Sequence, residues 1–195
     1  MKINTEVRGG EKLAKKLKEI QDRLTSKKRV LIGLPAGSGV YEDGTPIAVI
    51  GATHEFGGEI NHPGGTSYGY ATEEDARAGN VRFLPSGKGV MQLGVTGPHK
   101  IVIPERSFLR VPLRQNVDNI KKGFSSLAGM VSRGEISAFQ MLDQMGARAA
   151  GYCKEAIETG IAPPNARSTV RRKGSATPLI HTGHLKNAIT HVVED

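Results

Sequence analysis

Apolar residues along this chain recur every three or four positions at first, then every two, then every three or four again. Leu13, Leu17, Ile20 and Leu24 fall on one stripe with lysines and acids opposite, which predicts an amphipathic helix over 11–24. The run RVLIGL (29–34) is short and β-branched and is closed by Pro35 and Gly37, so it predicts a strand. Thr45 and Pro46 form a helix start, a capping hydroxyl followed by proline at the first helical position. That helix runs through IAVIGATHEF and stops at Gly57 and Gly58.

From Glu59 to Asn80 the chain is glycine-rich and polar, and reads as a long excursion with one short helical turn over 72–78. Three strands are predicted next, at 81–84, 89–95 and 100–103, with PSGKG and TGPH between them as hairpin turns. Met91, Leu93 and Val95 alternate with Gln92 and Gly94, as in a strand with one wet face. Leu113, Val117, Ile120, Phe124, Leu127 and Val131 then step by four and three toward Gly134, with Pro112 delimiting the start. A further helix over about 135–159 carries Ile136, Phe139, Leu142, Met145, Ala149 and Tyr152 on one side and stops at Gly160, with Pro163 and Pro164 beyond. No internal repeat is present. The fold class expected is α+β: a small antiparallel sheet packed with several helices, long loops and an extended C-terminal segment. The expected division is a body over 1–160, with the excursion at about 59–80 inside it, and a basic docking segment over 161–195.

Composition adds little until charge is considered. The single Cys153 excludes an intramolecular disulfide and suits folding in a reducing compartment. No apolar run approaches the roughly 20 residues that span a bilayer, and MKINTEVRGGEKLAKKLKEI lacks the apolar core of a signal peptide. A soluble protein made in a cytoplasm, with no membrane partner, is expected. The net charge of +8 calls for a polyanionic neighbour, which DNA, RNA, an anionic membrane or an acidic protein surface would each supply.

Candidate chemistry is sparse. His54, Glu55 and His62 are metal-ligand types, but their spacing is not that of a helical i, i+4 pair, and His181 and His184 have no Cys or carboxylate close by. Cys153 lies mid-helix, where a small buried thiol is the ordinary reading. GLPAGSG (33–39) has the glycines of a phosphate loop without its Gly-Lys-Ser/Thr ending. Glu73, Glu74 and Asp75 read as a solvated helix start, their charge favoured by the helix dipole. The C-terminal region is more informative. No acidic residue lies between Glu158 and Glu194, while Arg167, Arg171, Arg172, Lys173 and Lys186 all do, interleaved with Pro178, Leu179, Ile180, Leu185 and Ile189. One-signed charge with apolar anchors suits docking on a partner or polyanion.

Two segments together carry a resemblance. THEFGG (53–58) followed by IPERSFLR (103–110) resembles the His-Glu-Phe-Gly and Ile-Pro-x-Arg-x-Phe-Leu-Arg signatures of tailed-bacteriophage neck proteins, the head–tail joining or tail-completion family of virion morphogenesis type. The ending NARSTVRRKGSATPLIHTGHLKNAIT is similar to that family's close. The matches fall at Asn165, Thr169, Lys173 to Ser175, Pro178 to Ile180, Thr182, Gly183, Leu185 and Ile189. His181 stands where the pattern usually has Asp, and Ala188 where Ser is common. The stretch from about 59 to 80 matches less well and reads as an insertion.

The resemblance implies a structural protein of the virion neck rather than an enzyme, with no cofactor. It implies a homo-oligomeric ring, commonly hexameric, between capsid connector and tail, with DNA passing through the lumen. Adjacent neck, tail-tube or tail-terminator proteins would be its partners, and non-specific contact with genomic DNA is a further role for the basic residues. Tail completion is the favoured tier, with tail terminator and head-closure connector as alternatives. A closed ring needs two different complementary patches per subunit. Arg106, Phe108, Leu109 and Arg110 are expected at one, and Arg171, Arg172, Lys173, Pro178, Leu179, Ile180, Leu185 and Ile189 at another. A chain cut before Pro163 is then expected to stay folded while losing assembly. Two rival classes remain: a protein that binds nucleic acid through charge alone, and a metal-dependent hydrolase using His54, Glu55 and His62.

Overall fold

In the computed structural model, residues 10–25, 27–85 and 88–194 are described, the side chain of Arg172 excepted. In chain order the elements are α1 (Gly10–Leu24), β1 (Arg29–Gly33), α2 (Ile47–Phe56), β2 (Gly58–His62), β3 (Ser67–Tyr70), α3 (Glu73–Ala78), β4 (Arg82–Phe83) and β5 (Met91–Val95). They continue with β6 (His99–Ile103), α4 (Arg110–Gln115), α5 (Val117–Arg133), α6 (Ala138–Thr159), α7 (Arg167–Lys173), α8 (His184–Ala188) and β7 (Thr190–Glu194). The class is α+β, with the strands among the described residues divided between three small antiparallel sheets rather than gathered in one. Two compact units result: a first built from the chain up to Phe56 and from Arg106 onward, and a second over Gly57–Glu105. Neither boundary falls at residue 160.

The first unit is organised on α6. Ser137 begins it with a capping box, its hydroxyl accepting from the Gln140 N–H while the Gln140 side chain accepts from the Ser137 N–H. The helix therefore starts three residues later than apolar spacing alone suggests. Ala150, Cys153 and Ile157 on its inner face join Ile47, Phe108, Leu185 and Ile189 in one buried cluster. Against the same helix lies the β1–β7 ribbon, in register from Arg29 opposite Glu194 to Gly33 opposite Thr190. Gly146 permits that approach, since a Cβ there would stand 2.6 Å from Val30 Cγ2 and 2.5 Å from the His191 ring. Pro112 sits in the first turn of α4, where its missing N–H costs nothing, and Asn116 separates α4 from α5.

The C-terminal region is thus part of the body. Leu185 and Ile189 are buried, and Pro178 with them. A cut before Pro163 would strip Leu185 and Ile189 from the core and leave β1 without its strand partner. The expectation that the body survives such a cut is corrected on that ground. The opposite holds for α1. It forms as its periodicity predicts and lies against α5, yet it buries no residue, and Leu13 and Leu17 face solvent.

The second unit contains the excursion, which is more ordered than its composition suggests. Thr72 caps α3 by accepting from the Asp75 N–H, and Gly79 closes it in the left-handed conformation at φ 67. Ahead of it lie two strands absent from the sequence expectation. β2 pairs with β6, and β3 is the centre of the order β4-β3-β5. Consequently β5 and β6 are not hairpin partners across TGPH. The alternation expected along β5 also breaks, because the register slips between Tyr68 and Gly69. Gly69 is required there: a Cβ would fall 2.0 Å from the Met91 carbonyl oxygen.

Candidate functional site

The two segments that carry the resemblance meet in space. Glu55, in the last turn of α2, is 3% exposed and directs its carboxylate at the start of α4. Leu109, the residue that would cap α4, offers no side-chain acceptor. Glu55 supplies one instead: Oε2 accepts from the Leu109 N–H at 2.9 Å and Oε1 from the Arg110 N–H at 3.1 Å. The Ser107 hydroxyl donates to Oε1 at 2.7 Å and accepts from the Val111 N–H at 3.3 Å, extending the cap by one residue. Arg110 then closes on α2 from outside. Its Nε donates to Oε1 and its Nη2 to the Glu55 carbonyl, each at 2.8 Å, with the guanidinium 4.5 Å over the Phe56 ring.

Arg106 links this clamp to the turn just ahead of the third segment. Its backbone N–H donates to the His54 carbonyl at 2.7 Å. Its guanidinium, in a residue only 7% exposed, donates to the carbonyls of Pro163 at 2.8 Å and Pro164 at 3.1 Å. Beyond those prolines, Asn165 Nδ2 donates to the Ala176 carbonyl and Lys173 Nζ to that of Thr177, folding the chain back around α7. The chain then passes Leu179, a non-glycine residue at φ 61, before Leu185 and Ile189 enter the core. That backbone conformation costs a leucine about 1–2 kcal/mol, offset here because Leu179 and Ile180 pack against the buried cluster.

Electrostatics follow from this burial. Desolvation pushes the Glu55 carboxyl up, but the hydrogen bonds from Ser107, Leu109 and Arg110 outweigh it and hold it below its ordinary value. Burial, then the charges of Arg106 and Lys173, hold the His54 imidazole below its usual range. Burial pushes the Cys153 thiol up to about 11, assisted by the Glu55 charge. A thiol so placed is no nucleophile.

The expected interface residues therefore divide. Phe108, Leu185 and Ile189 are core; Arg106 and Lys173 are spent on carbonyls within the unit; Leu109, Leu179 and Ile180 are half-buried against the core. Arg110 keeps one face outward, Arg171 is exposed, and the side chain of Arg172 lies outside the described residues. Beside the clamp, Ile32, Leu34, Ala48, Phe56, Leu109 and Leu113 line a groove of about 320 Å³ with Arg110 at its edge. Periodicity gave no sign of it.

The metal-ligand types singled out in the sequence are not brought together. His54 and Glu55 belong to the clamp's helix end, and His62 pairs instead with His99 across β2 and β6, ring centroids 4.9 Å apart. His181 is exposed, and His184 tilts against Tyr41 at 5.8 Å. Among the described residues, no three His, Cys, Asp or Glu side chains are grouped to hold an ion, and no helix is long and apolar enough to cross a membrane. Comparison with protein-family models, with curated proteins and with solved structures finds no match to this chain.

Proposed function

We propose that this chain is a structural protein of the tailed-phage neck, assembling as a ring that completes the tail and joins it to the capsid connector. The number of subunits implied by the resemblance is six, with adjacent neck and tail-tube or tail-terminator proteins above and below. One observation carries the reading. The three segments that resemble the family's signatures are far apart in sequence, yet they form one connected structure: Glu55 on the α4 start, Arg106 on the Pro163 and Pro164 carbonyls, and Leu185 and Ile189 beside Phe108. Residues that resemble a family's motifs by accident have no reason to bond to one another. Here Glu55 of the first motif satisfies the backbone of the second, and Arg106 of the second holds the two carbonyls just ahead of the third, as expected if they define one architecture rather than a catalytic centre.

The charge distribution agrees with passage of DNA through the lumen. Residues 57–105 carry five acids against four bases, net −1, so the rest of the chain holds +9 of the total +8. Contact with DNA by such a surface is non-specific and weakens with salt. An electron-microscopy reconstruction of a virion that encodes this chain tests the assignment. A ring of it between portal and tail tube is expected; a neck built without it overturns the proposal.

A further inference from the structure

The second unit has almost no interior of its own. Among its described residues Leu84 is the one large apolar side chain that is buried, while Ile60, Val81, Phe83, Val90, Met91, Leu93, Val95, Ile101 and Val102 are exposed. The β2–β6 ribbon shows the pattern most clearly. Ile60 stands directly opposite Ile101, with Ile103 on the same face, and Glu59 pairs with Lys100 on the other. Two-stranded ribbons of five residues per strand are marginal in water unless one face is covered, and among the described residues both outer edges of this one are unpaired. The nine exposed side chains are spread over two separate sheets, and Ile60 and Ile101 are the exposed large apolar ones on the ribbon's isoleucine face.

Charge decides what covers them. A polyanion has no reason to choose a unit of net −1 when the remainder of the chain carries +9. Two copies of the basic unit repel each other. The sign-favoured pairing puts the second unit of one copy against the first unit of another, and that arrangement is heterologous, the kind that closes into rings. On the first unit the groove lined by Leu34, Ala48, Phe56 and Leu113 is apolar, with Phe56 64% exposed and Val49 exposed on the same helix. We infer that the β2–β6 ribbon of one copy docks, isoleucine face inward, on this α2 groove of a second copy of the chain. The inference deepens the ring reading but stands on surface and charge alone.

Photo-crosslinking tests it on the full chain. Benzoylphenylalanine is placed at position 99, exposed and on the same ribbon face as Ile101 and Ile103, and these copies are mixed with nitrogen-15-labelled copies. Mixed-isotope crosslinks from position 99 to peptides holding Val49 or Phe56 are expected, falling at least tenfold with Ile60→Lys and Ile101→Lys together. Circular dichroism melts should be unchanged by those two substitutions, since both side chains lie at the surface. Crosslinks confined to one isotope, crosslinks between two second units, or no crosslink up to millimolar protein would each overturn the inference. Copy-to-copy crosslinks from a chain missing from the virion neck would instead sink the functional proposal and leave this one standing.

Discussion

Replacing Glu55 with glutamine keeps the shape of the clamp and removes its charge. The carboxylate accepts from Ser107, from the N–H groups of Leu109 and Arg110, and from the Arg110 guanidinium. Hydrogen bonds to a charged acceptor contribute about 1.5–3 kcal/mol each. The Arg110 side chain is 40% exposed, so its ion pair is discounted to about 1 kcal/mol or less. Glutamine leaves one oxygen for the three donors at Oε1 and turns its NH₂ toward the Leu109 N–H. One bond is lost and three are weakened, a cost of about 3 kcal/mol. For a chain of this length that lowers Tm by about 6–12 °C. Glu55→Ala, which orphans every donor, should cost about 4–5 kcal/mol.

Urea melts followed by far-ultraviolet circular dichroism at pH 7 measure both. The pH dependence has a definite sign. Glu55 titrates below its ordinary value in the fold, so its stabilisation is full above the unfolded pKa near 4.5 and is lost as pH falls through the folded value. His54, also lowered, works the same way: the unfolded chain takes up a proton below about 6.5 before the fold does. Acid should therefore destabilise the wild type in two stages, and Glu55→Gln should remove the lower one. A Gln variant within 0.5 kcal/mol of wild type, with an unchanged acid limb, would refute the clamp as a stabilising element.

Four further outcomes are expected. Gly146→Ala should cost about 1–3 kcal/mol in a thermal melt, because its methyl group collides with Val30 and His191; a neutral result would mean that the ribbon is not seated on α6. Gly69→Ala should shift amide resonances over β3–β5 in a two-dimensional NMR spectrum and leave those of α6 in place; a silent substitution would contradict the bulge. Cys153, fully buried with its thiol near 11, should resist a disulfide reagent at pH 8 until urea unfolds the chain, and stoichiometric labelling within minutes in buffer would contradict its burial. A chain ending at Ala162 should lose its cooperative unfolding transition altogether, and a native-like melt would restore the docking-tail picture.

Local signals were legible in the sequence and distant ones were not. Thr45–Pro46, Thr72 with Gly79, and the stripe from Leu113 to Val131 each act within a few residues, and α2, α3 and α5 follow from them. The Ser137–Gln140 capping box was equally local and fixes a start that apolar spacing placed too early. The strands missed are those whose partners lie far along the chain. Nothing near Thr190–Glu194 announces that it pairs with Arg29–Gly33, and β2 and β3 are too polar to stand out from loop. The clamp shows the same limit. Glu55 reads locally as a histidine's neighbour and a candidate ligand, because Ser107 is 52 positions away.

The hydrogen bond from the Arg106 N–H to the His54 carbonyl has a bearing on how such a chain diverges. It ties the two strands of backbone together at the point where residues 57–105 leave and return, and a Cβ on Gly57 would touch Glu105 N at 2.9 Å. Ends held that close make the intervening 57–105 a cassette: exchanging it for a longer or shorter one leaves the loop-closure entropy of the remainder nearly unchanged. Under the docking inferred above, selection on that cassette retunes which neighbour a copy accepts while the clamp and its core stay fixed.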